Sequence, residues 1–94
     1  MNKSDIKEIL IANKYPLKQA EATAQELLRI DEQLLPALKA WLANGTEQDY
    51  MVEGFTLAGL KRRFDMTYPA ALLTIDWLLK DPSVATEAIN HGIK

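Results

Sequence analysis

Apolar residues recur along this chain at helical spacing, and prolines cut the pattern into short pieces. Ile6, Ile9 and Leu10 form one stripe at i, i+3 and i+4, opened by Asn2 or Ser4 as cap and ending near Asn13. Tyr15-Pro16 forbids its continuation, because proline pushes the preceding residue out of helical geometry, yet Pro16 suits the first turn of a new helix. That second helix carries Leu17, Ala20, Ala24, Leu27 and Leu28 and is expected to run to about Ile30. Asp31 then caps a third, with Leu34, Leu35, Leu38, Trp41 and Leu42 on one face and Asn44-Gly45 as a left-handed stop. Pro36 either kinks this helix or delays its start.

Residues 46–54 (TEQDYMVEG) lose the helical period, carry three acidic groups and no basic one, and hold the apolar trio Tyr50-Met51-Val52. Their side chains gain roughly 1.5–3 kcal/mol each on burial for the larger aliphatics, which predicts a packed loop. A fourth helix follows from Thr56 with Leu57, Leu60 and Phe64, then a tight turn at Asp65-Met66-Thr67 and a longer helix from Pro69 to Lys80. Asp81-Pro82 restarts the chain into a last helix with Val84, Ala85, Ala88 and Ile89, ending near Asn90-His91-Gly92. There is no internal repeat, no sustained heptad, and no strand alternation beyond two or three residues around Tyr50 to Val52. The expected fold class is all-α: a compact bundle of five to six short helices. It forms one domain over residues 1–94, with N-terminal helices in 1–44, a packed acidic loop at 45–54 and C-terminal helices in 55–94.

A chain of 94 residues supports one thin core, burying roughly two thirds of its unfolded surface. Trp41, Trp77, Phe55 and Phe64 are expected to fill much of it. Its 48% hydrophobic and 26% charged residues are those of a folding globular domain, not a disordered one. The absence of cysteine excludes disulfides, a thiol nucleophile and thiolate metal sites, and fits a reducing compartment. No export leader is expected, since the longest apolar run near the N-terminus is Ile9 to Ala12. The most apolar stretch, Pro69 to Leu79, is broken by Asp76 and falls well short of the about 20 residues that span a bilayer. The expected location is cytoplasmic, with no membrane contact.

The net charge of −2 argues against a phosphate-binding module. Residues 1–44 balance six basic against six acidic side chains, and residues 45–94 set five against seven. Nevertheless FTLAGLKRRFDMTYPAALLTIDWLL, from Phe55 to Leu79, resembles a helix-turn-helix unit: a capped short helix, a tight turn after an apolar residue, and a second helix entering near proline. The resemblance rests on Leu57, Leu60, Met66, Ala71 and the turn, and covers about a quarter of the chain. It implies a nucleic-acid binder whose second helix reads the major groove. Here that helix offers Leu72, Leu73, Thr74, Ile75, Asp76, Trp77, Leu78 and Leu79, a surface better suited to a core than to bases. In a general way the chain is also similar to the small helical proteins common in bacterial genomes.

Candidate sites are few. Lys61-Arg62-Arg63 is the one dense basic cluster; with Thr67 and Tyr68 it would contact phosphates if the helix-turn-helix resemblance holds, and otherwise it is a solvated helix end. His91, the sole histidine, has no convergent ligand or nucleophile nearby in sequence and reads as a cap or exposed side chain. Asp76 lies in an apolar segment and has three open roles: an exposed pair with Lys80, a buried pair with Arg62 or Arg63, or a functional acid. Tyr50, Phe55, Tyr68 and Trp77 either fill the core or build a partner-binding patch, the candidate partner surface being Tyr50, Tyr68, Leu73 and Trp77. No Gly-rich phosphate loop, paired-histidine metal motif or Ser/His/Asp set is present, so no enzyme activity, cofactor or metal is expected. The leading expectation is a non-enzymatic helical protein-interaction module that binds another protein or itself. The alternative is a helix-turn-helix nucleic-acid-binding protein.

Overall fold

The computed structural model describes residues 2–92. Six helices and one small hairpin follow one another: α1 (Lys3–Ala12), α2 (Leu17–Leu27), α3 (Leu35–Asn44), β1 (Met51–Val52), β2 (Phe55–Thr56), α4 (Leu57–Phe64), α5 (Tyr68–Lys80) and α6 (Pro82–Asn90). The chain is thus an all-α bundle of short helices. Asn2, not Ser4, caps α1, its side-chain oxygen accepting the Asp5 N–H at 3.0 Å.

The α1–α2 connection is a Schellman turn. Lys14 takes the left-handed conformation (φ 72) in the place glycine usually holds. Its N–H bonds to the Ile11 carbonyl and that of Tyr15 to the Leu10 carbonyl, each at 3.0 Å. Helix α2 ends at Leu27, earlier than the apolar stripe suggests, because the N–H groups of Arg29 and Ile30 turn to carbonyls only three residues back. The position of Pro36 is resolved by a delayed start. Asp31 caps a single 3-10 turn at Glu32–Leu34, and α3 begins after it with Pro36 in its first turn, where no backbone hydrogen bond is lost. Gly45 (φ 75) closes α3 as the sequence suggests.

The acidic segment is more ordered than a packed loop. Met51 pairs with Thr56 and Val52 with Phe55 in an antiparallel ribbon, joined by Glu53 (φ 54) and Gly54 (φ 81). Two successive positive φ values make the type I′ turn that matches the twist of a two-residue hairpin. Burial within the apolar trio is uneven: Tyr50 and Val52 pack half-buried, whereas Met51 is 66% exposed.

Helix α5 is the hub, touching α2, α4, α6 and β1. Leu72 and Ile75 are fully buried and Leu78 nearly so, worth roughly 1.5–3 kcal/mol each. The core is aliphatic, built from Ile6, Leu10, Leu27, Leu34, Leu38, Leu57, Leu60 and Ile89 around α5. Of the four aromatic residues expected to fill it, only Trp41 is buried; Phe55, Phe64 and Trp77 pack half-exposed against its edge. Short helices bring many leucines inward at once, so the bulky rings are left to seal the rim.

Candidate functional site

A mainly apolar concavity lies where the α1–α2 turn meets the N-terminal half of α5. It is an open groove of about 380 Å³, lined by Asn13, Lys14, Tyr15, Pro16, Gln19, Ala22, Thr23, Thr67, Ala70 and Leu73. Its volume is that of a small binding pocket, its walls mainly apolar. Pro16 opens α2 without any side-chain cap, and Tyr15 packs against the core. The Tyr15 hydroxyl hydrogen-bonds the Thr67 hydroxyl, tying the first helical pair to the start of α5. Burial raises the Tyr15 phenol above its usual pKa, and the bond to Thr67 partly offsets this. Thr67 also caps α5, accepting the Ala70 N–H.

Outward from this groove runs a stripe along α5. Ala70, Leu73, Thr74 and Trp77 share one face at i, i+3, i+4 and i+7, and all are half-buried. The single polar member is turned back, since the Thr74 hydroxyl donates to the Ala70 carbonyl at 2.9 Å. Leu73 thus lines the groove and Trp77 extends its apolar face.

The other expected surface residues lie elsewhere. Tyr68 is only 3% exposed; its ring stacks on Trp41 with centroids 6.3 Å apart, and its hydroxyl donates to the Gln48 carbonyl. It therefore cannot present a partner or phosphate contact. Burial, followed by the carboxylates of Glu47 and Asp49, pushes its phenol up to about 12. Tyr50 donates to the Gln33 side chain at 2.8 Å, anchoring the acidic segment to the 3-10 turn.

The basic cluster divides. Lys61 pairs with Glu47, Arg63 lies 5.1 Å from the neighbouring Phe64 ring, and Arg62 projects to solvent. With Glu47 and Asp65, Lys61 and Arg62 line a shallow cleft of mixed sign. Their place in the last turn of α4 complements the helix dipole. His91 caps α6 and is exposed.

Asp76 combines features of its expected roles. It is 7% exposed, yet its partner is Lys80, 2.8 Å away, rather than an arginine. Its second oxygen accepts the Asp31 N–H at 2.8 Å, while Lys80 also donates to the Arg29 carbonyl at 2.7 Å. The two side chains clamp the α2–α3 connection onto α5. No signal in the sequence joins residues 29–31 to residue 76, because the pairing is made only by the fold.

Among the described residues no group of acidic or histidine side chains is placed to hold a metal ion, and no helix is long and apolar enough to cross a membrane. The fold is therefore that of a helical bundle whose clearest surface feature is an apolar groove. No family model, curated protein or solved structure matches this chain.

Proposed function

We infer that this chain is a non-enzymatic helical interaction module that holds a polypeptide segment in the groove between the α1–α2 turn and α5. The observation that carries this is the apolar part of the groove lining, Tyr15, Pro16, Ala22, Ala70 and Leu73, with Trp77 one turn further along the same face of α5. A surface on which Pro16 is exposed and Tyr15, Ala70, Leu73 and Trp77 are half-buried has the composition of a protein-binding patch. The same face favours protein over nucleic acid: α5 turns alanine, leucine and tryptophan outward, where a groove-reading helix presents arginine, asparagine or glutamine. A chain without cysteine suits a reducing compartment, and the cytoplasm is the setting we assign.

The test is site-specific photo-crosslinking in cells of the protein's source, with benzoylphenylalanine in place of Leu73. The expected result is one defined polypeptide adduct, identified by mass spectrometry as a partner or as a second copy. The same probe in place of Gln25, exposed on α2, should not give it. Equal adducts from both positions, or none from position 73, overturn the proposal.

A further inference from the structure

We propose that the groove is occupied by the acidic hairpin of a second copy of this chain, with Met51 as the inserted side chain. The inference rests on the groove being a protein-docking site and names its occupant. The groove has apolar walls and one charged residue, Lys14, which is exposed and forms no ion pair among the described residues. Its complement is an apolar side chain carried on an acidic segment.

Residues 46–54 have that chemistry. They hold Glu47, Asp49 and Glu53 and no basic residue, and Met51, at 66%, is the most exposed large apolar side chain of the described residues. A thioether on an unbranched chain fits an irregular apolar groove with little penalty. Glu53, two residues on, is exposed and free of ion pairs among the described residues, so it can meet the charge of Lys14.

The segment is also held ready. Tyr68 grips the Gln48 carbonyl, Tyr50 grips Gln33, Lys61 pairs with Glu47, and the Asp49 carboxylate accepts the N–H groups of Tyr50 and Ala58. A hairpin fixed at its base loses little conformational entropy on docking. Groove and hairpin are separate patches, so the contact is head-to-tail, the hairpin of one copy in the groove of the next.

Sedimentation equilibrium at low salt, over a concentration series reaching about 1 mM, tests the proposal, since even a Kd of ~1 mM shows there. The samples are the wild type, Lys14→Glu, Met51→Glu, and an equimolar mixture of the two variants. Both sites are exposed, and unchanged circular dichroism confirms that each variant folds. The weight-average mass of the wild type should climb above 10.6 kDa as concentration rises, while each variant alone stays monomeric. The mixture should associate again, because the intact hairpin of one variant meets the intact groove of the other. A wild type that stays monomeric, a variant that associates like the wild type, or a mixture that stays monomeric each overturns the proposal. A monomeric wild type with a crosslink from position 73 to a different protein overturns self-docking and leaves the groove as a docking site. A monomeric wild type with no crosslink overturns both.

Discussion

Replacing Asp76 by alanine strips the α2–α3 connection of its anchor, and the expected loss follows from the partners of each oxygen. One oxygen accepts the Asp31 N–H, which without it must find water or stay unpaired, at about 1–3 kcal/mol. The other meets Lys80, but that ammonium is about half exposed and keeps the Arg29 carbonyl, so its share is about 0.2–1 kcal/mol. The sum is about 1–4 kcal/mol, which for a domain of this size lowers Tm by roughly 5–30 °C. Asp76→Asn separates the two contributions. Its carbonyl still accepts from Asp31, whereas its amide faces Lys80 as donor to donor and the lysine swings into solvent, for a loss of about 1 kcal/mol. Thermal and urea unfolding of both variants and of Lys80→Ala gives the comparison. If alanine and asparagine cost the same, or alanine costs under about 0.5 kcal/mol, the clamp is not what holds the connection.

Three further outcomes are expected. Lys14→Gly should raise stability by roughly 0.5–1 kcal/mol, because glycine relieves the left-handed strain at φ 72 while adding unfolded-chain freedom, and it should also lose the proposed self-association; a fall in Tm refutes the strain argument. Gly59→Ala should gain none of the about 1 kcal/mol that helix propensity offers, since the new Cβ would lie 2.8 Å from the Thr56 hydroxyl that caps α4; denaturant unfolding reads the difference. Tyr68 should ionise at about pH 12 by phenolate absorbance. A folded pKa above the unfolded value of about 10 means the native state holds the proton more tightly, so its contribution is complete below pH 10 and is lost as pH rises through about 12. Tyr68→Phe should abolish that alkaline step.

The pieces of the fold were legible because they are set by local chemistry. Proline, glycine and small polar residues act on their own backbone and the next turn, so Pro16, Gly45, Thr56, Thr67 and Pro82 mark helix ends wherever the helices pack. Apolar spacing identified the inward faces of α1 and α4 for the same reason, whereas in α6 Ala85 and Ile89 are buried and Val84 is exposed. The hairpin was hidden because Glu53-Gly54 lacks the Asn-Gly or Asp-Gly signal, and its ribbon of two residues per strand is too short for alternation to show. Of the candidate surface residues, Leu73 lines the groove, while Tyr68 is indistinguishable by sequence from an exposed tyrosine until Trp41 is packed against it.

The sequence alone therefore determined the succession of helices and most of the residues that bound them, since each depends on interactions within a few residues. Only the tertiary structure decided which aromatic rings lie at the rim, that Asp76 holds the Asp31 backbone 45 residues away, and that the α1–α2 turn and α5 enclose a groove. Those features join segments distant in the chain, and no local propensity encodes the meeting of two surfaces that exist only once both have folded.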